Sequence, residues 1–129
     1  MTLLYSNPQF QQHLTGFHPE HPRRLAAVEG HLSVSGLGAR CRRPEWNAAN
    51  PAELGRVHAP GYVAGVSDYA AAGGGQIEVD TVVSERSYDV AALAAGAVQD
   101  AVRRVVAGED QTALCLIRPP GHHALCQGA

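Results

Sequence analysis

Near the end of the 129-residue chain, His122 and His123 stand side by side directly after Pro119-Pro120-Gly121, in the stretch RPPGHHALCQGA. Imidazole is the side chain whose charge changes closest to neutrality, so it exchanges protons with water and substrates at ordinary pH. Two imidazoles near one site push their pKa values apart and can divide acid and base work. Adjacent residues of a strand face opposite ways, but a loop framed by proline and glycine can turn both rings toward one pocket. The plainer alternative is a loop that merely carries two polar residues. A rival chemistry is a cysteine hydrolase that pairs Cys126 with His123.

A second cluster of ligand-type residues is HPEH, with His18, Glu20 and His21. All three are zinc-binding types, but Pro19 and Pro22 hold the segment extended, and no metal site is expected from it. His58 reads as a helix-end residue, and His13 and His31 have no supporting context. Cys41, Cys115 and Cys126 are odd in number and show no paired spacing. Cys115 lies in an apolar run and reads as a small buried hydrophobe. Free thiols in a reducing cytoplasm are the expectation. The formal charge of −2 argues against non-specific nucleic-acid binding. No apolar run is long enough to cross a bilayer, and MTLLYSNPQFQQHL lacks the basic start of a secretory signal.

The elements that must position the pair follow from periodicity. TLLY predicts a short first strand, ended by Ser6-Asn7-Pro8. Residues 6–21 read as a long loop. Pro22 suits the first helical position, Leu25, Val28 and Leu32 follow at helical spacing, and Gly36 and Gly38 stop the helix. ARCRRPEW predicts a short strand limited by Pro44. AELGRVH predicts a short helix broken near Pro60, and GYVAGVSDYAAA a longer one stopped by Gly73-Gly74-Gly75. The clearest helix runs from Ser84 or Ser87 to Ala107. Its predicted apolar stripe is Ala91, Ala94, Val98, Ala101, Val102 and Val105, with Asp100, Arg103 and Arg104 elsewhere. TALCLI then predicts a central strand buried on both faces. A helix followed by such a strand implies α/β architecture with a parallel sheet. The histidine pair falls just past that strand's C-terminal end, where open α/β sheets bind ligands.

RPPGHHA strongly resembles the tandem-histidine motif of the histone deacetylase family, which includes acetoin-utilisation proteins and acetylpolyamine amidohydrolases. Three further stretches agree in the same order. GFHPEHPRRL resembles the family's HPE-x-P-x-R-L segment, and VHAPGYVAGV its VH…YV region. GGGQIEVDTVVSERSYDVAALAAGAV is similar to its D-T-x-x-S-x-x-S stretch before an alanine-rich helix. The resemblance spans nearly the whole chain. It implies a three-layer α/β fold with a central parallel sheet, as in arginase and deacetylases, of which residues 1–129 form the N-terminal part of a single domain.

The implied chemistry is zinc-dependent hydrolysis of an acetylated amine, either acetyl-lysine or acetylpolyamine, to acetate and free amine. On this mapping His122 and His123 are catalytic, and the second is the general base and the acid for the leaving amine. Asp80 matches a rim residue that accepts hydrogen bonds from a peptide backbone, with an Asx-turn into Thr81 as the other reading. Arg24 matches an arginine facing the cavity through which acetate leaves, with a solvated helix arginine as the other reading. Gly121 would let the backbone approach the site closely. Glu20, Glu78 and Asp80 are acidic rim candidates suited to a cationic substrate. The family's two aspartate and one histidine zinc ligands, and its tyrosine, have no counterparts here. The chain alone is therefore expected to be inactive and to expose an apolar sheet edge through which it self-associates. A non-catalytic binding or partner module of the same fold is the alternative.

Overall fold

The computed structural model describes residues 1–128. The apolar run TLLY forms β1, Thr2–Tyr5, as predicted. The stretch that follows is not a plain loop. Asn7 accepts a hydrogen bond from Gln9 N and opens a 3₁₀ turn, Pro8–Gln12, which buries Phe10. Beyond it His13 and Thr15 are also buried, so residues 6–21 are packed down. Helix α1, Arg23–Val34, starts one residue later than expected, with Pro22 as its cap, and Gly36 follows its end with φ 72°. Strand β2 is only Cys41–Arg42, since Pro44 cannot donate to a ladder. Helix α2, Pro51–Leu54, carries a capping box between Asn50 and Glu53.

Helix α3 is Pro60–Ala71, and the Gly73–Gly75 run ends it as predicted. That run also opens a hairpin absent from the sequence reading, β3 (Gly75–Glu78) against β4 (Thr81–Val83), turned by Val79 and Asp80. Gly74 has φ 71°, and a Cβ there would overlap the Val83 carbonyl oxygen, so the close approach needs glycine. Helix α4 is Ser87–Val106 and strand β5 is Thr112–Cys115. Of the two expected starts, Ser84 and Ser87, the helix begins at the second, with Arg86 before it and no side-chain cap. Ser87 is its first, buried residue, and its N–H donates to Ser84 O.

The parallel sheet has the order β2-β1-β5. Among the described residues β1 is the strand with a neighbour on each side. Among the described residues β5 pairs only with β1, and Thr112, Ala113 and Leu114 are exposed. Alternate β1 residues feed two clusters, as a period of two requires. Leu4 packs with Phe10, Leu25, Val90, Leu93, Ala94 and Leu116, whereas Leu3 and Tyr5 pack with Ala97 and Ala101.

The buried face of α4 also differs from the predicted stripe. Val90, Leu93, Ala94, Ala97, Asp100 and Ala101 face inward, while Val98 and Val102 are exposed. A buried carboxylate is tolerated because Asp100 is fully partnered. Tyr5 Oη donates to Asp100 Oδ2 at 2.8 Å, Arg104 Nε donates to the same oxygen at 2.6 Å, and Arg103 donates to Oδ1.

Candidate active site

The chain leaves β5 through Leu116 and Ile117 and reaches Arg118, a guanidinium with no exposed surface. All three of its nitrogens donate to acceptors in the segment before α1. Nε and Nη2 each donate to one Glu20 carboxylate oxygen at 2.8 Å, and Nη1 donates to Phe10 O and His13 O, both at 2.7 Å. A planar fork on a carboxylate fixes direction as well as distance. Glu20 is therefore an internal counter-ion and not the substrate-facing rim residue expected above. Burial pushes its carboxyl pKa up, but the bonds and charge of Arg118, with His13 and Arg24, bring it below the ordinary value.

Four other side chains tie this segment together. His13 Nδ1 shares a 2.6 Å hydrogen bond with Ser87 Oγ, and its Nε2 lies 3.8 Å from Glu20 Oε2. Burial, then the Arg118 charge, lowers its pKa against the pull of Glu20. Ser84 Oγ accepts from Leu14 N at 3.0 Å. His18 Nδ1 accepts from Glu20 N, which leaves Nε2 to donate to the Asp80 carbonyl at 2.9 Å and so sets the tautomer.

These bonds account for the HPEH residues. Glu20 clamps Arg118, His18 holds the hairpin tip, and His21 Nδ1 accepts from Arg23 N. Among the described residues no group of three or more His, Cys, Asp or Glu converges closely enough to hold a metal ion.

On the far side of the pair the chain is fastened to the start of α3. His58 Nδ1 donates to Leu125 O at 2.7 Å, and Ala59 N donates to Cys126 O at 2.9 Å. Between the two attachments His122 and His123 are exposed, with ring centroids 4.1 Å apart and planes inclined by 46°. Gly121 has φ 69°, and a Cβ there would meet nothing within 4 Å. The left-handed backbone, not crowding, is what calls for glycine. Asp80 sits exposed at the hairpin tip. Arg24 is half exposed and donates to Glu20 Oε1 at 3.1 Å. No hydrogen bond joins Cys126 Sγ to His123 among the described residues, which removes geometric support for a cysteine dyad. Clefts lined by Trp46 and Asp100, and by Pro8 and Arg43, lie away from the pair.

Sequence reasoning missed Arg118, His13, Ser87 and His58. Only Arg118 carried a usable signal, because a charge that directly continues an apolar run must find partners if it is buried.

The family described as "Histone deacetylase domain" matches residues 18–129. The chain is 40% identical over 107 residues to the "Histone deacetylase-like amidohydrolase" of Pseudomonas aeruginosa, covering 83% of this chain and 27% of that protein. It is 38% identical over 110 residues to the human "Polyamine deacetylase HDAC10", covering 81% of this chain and 16% of that one. The crystal structure of the "HDA15 HD domain" superposes with a TM-score of 0.94 at 30% identity, covering 99% of this chain and 38% of that one. The chain thus spans well under half the length of these relatives.

Proposed function

Because this chain belongs to the histone deacetylase family, we propose that it supplies the proton-handling part of a domain that hydrolyses acetylated amines. The observation that carries the reading is the histidine pair, two rings 4.1 Å apart on the loop beyond the C-terminal end of a parallel strand. In the hydrolysis the acetamide C–N bond breaks, a water oxygen joins the acyl carbon, and a water proton ends on the amine. His123 takes that proton and delivers it, and His122 hydrogen-bonds the tetrahedral species. Asp80, at the tip of an exposed hairpin, accepts from substrate N–H groups. Arg24 has donors beyond the one on Glu20 and is assigned to the departing acetate.

The substrate class is an acetylated amine, either acetyl-lysine in a peptide or an acetylpolyamine. The carboxylates left for a cationic substrate are Glu78 and Asp80, since Glu20 is engaged by Arg118. Zinc, when bound in the whole domain, would polarise the carbonyl and activate water. The described residues do not form a donor set for it. The 129 residues alone are accordingly expected to show no turnover.

The test is acetate release by the full-length gene product from an acetyl-lysine peptide and from an acetylpolyamine. His123→Ala is expected to lower kcat by about 10²–10⁴-fold, the usual worth of a general acid–base group. Unchanged kcat in that variant would overturn the assignment.

A further inference from the structure

We propose that Arg118 with Glu20, and His58, are positioning residues that fasten the two ends of the loop bearing His122 and His123. The proposal deepens the reading of that pair as the proton-handling site and rests on it. The chain is attached on either side of the pair.

At the leading end, Arg118 directly precedes Pro119 and is fully buried, with four hydrogen bonds to four acceptor oxygens of residues 10–20. An apolar residue would fill the same space. The fork adds a fixed plane, and with it the direction in which the backbone departs. At the trailing end, the His58 ring packs against Tyr62 with centroids 5.4 Å apart and presents Nδ1 to Leu125 O. The neighbouring Ala59 N to Cys126 O bond makes the attachment two-stranded. Within the loop, Gly121 reverses the backbone and its carbonyl accepts from Ala124 N at 3.0 Å. With both ends tied and a turn between, little freedom remains in how far apart the two rings stand.

The same bonds reach the hairpin. Glu20 N donates to His18, and His18 holds the Asp80 carbonyl. The relative placement of Asp80 and the pair therefore runs through Glu20, one end of the clamp.

The test uses the 129-residue chain and does not depend on turnover. The ring-to-ring nuclear Overhauser contact between His122 and His123 is measured together with amide exchange at Ala59 and Ala124. The variants are His58→Leu, which removes the donor, and His58→Asn, whose side-chain amide can replace Nδ1–H. In His58→Leu the ring contact should vanish and both amides should exchange roughly tenfold faster, as expected when a local contact opens. His58→Asn should restore both, with the β1 amides unchanged throughout. Glu20→Gln should likewise abolish the contact. Should that variant fail to fold, the His58 pair decides alone. A ring contact and exchange rates in His58→Leu equal to those of the unmodified chain would overturn the proposal. The catalytic reading is judged separately: a full-length product that hydrolyses no acetylated amine removes the function but leaves a positive clamp result standing.

Discussion

Replacing Glu20 by Gln would leave a guanidinium buried without its counter-charge. Breaking a buried pair from one side costs about 3–5 kcal/mol. The lower end applies here, because Phe10 O and His13 O still accept from Nη1 and the Gln amide oxygen can accept one bond. A loss of about 3 kcal/mol lowers the melting midpoint of a chain this size by roughly 12 °C. The pH dependence supplies a stricter check. The Glu20 pKa is depressed in the folded state, so its stabilisation is present above the unfolded carboxyl value. It is lost as the pH falls through the folded one. Protonated Glu20 is nearly isosteric with Gln. The gap between the two proteins should therefore be full at neutral pH and close as the pH falls below about 4. His13, also depressed, adds a loss of the same sign in both proteins, beginning as the pH drops below about 6.5. Circular-dichroism melts from neutral to acid pH read both effects. A gap that stays constant with pH would show that the cost arises from packing and not from the charge pair.

The Tyr5 phenol is pushed up to about 12, first by burial and then by its bond to Asp100. A raised phenol gives stability that is intact below the unfolded value and is lost as the pH rises through the folded one. Ultraviolet titration should show one of the four tyrosines ionising last, and Tyr5→Phe should delete that final step. If the step survives in Tyr5→Phe, the Asp100 network is misassigned. The edge of β5 that no described strand covers, with Leu114 exposed, is expected to drive self-association of the isolated 129-residue chain. Sedimentation should show concentration-dependent oligomers that Leu114→Lys reduces, and a monomer at every concentration would count against this.

What could be read from the sequence divides by how local its cause is. TLLY and the glycine stop after α3 are short-range effects, and those elements stand where their residues predict them, whereas the helix read over AELGRVH is only Pro51–Leu54. The buried face of α4 shifts because Asp100 points inward, and the group that lets it do so, Tyr5, lies 95 positions earlier. The hairpin escapes notice because Val79-Asp80 is not a glycine turn, and its closure depends on Gly74 meeting Val83. β5 reads as a strand from its apolar run, whereas its pairing with β1, at the other end of the sequence, leaves no local signal.

The site divides in the same way. His122 and His123 are recognisable because they are adjacent and framed by proline and glycine. Their supports are not recognisable, since each acts across a long sequence separation, as with Glu20 to Arg118 at 98 positions and His58 to Leu125 at 67. Yet the quoted motifs are the supports. GFHPEHPRRL supplies Glu20 and His18, VHAPGYVAGV supplies His58 and Ala59, and VDTVVSERS supplies Asp80, Ser84 and Ser87. Each is hydrogen-bonded either to the histidine loop or to the segment that clamps it. That gives a physical reason for four separated stretches to occur together in one chain.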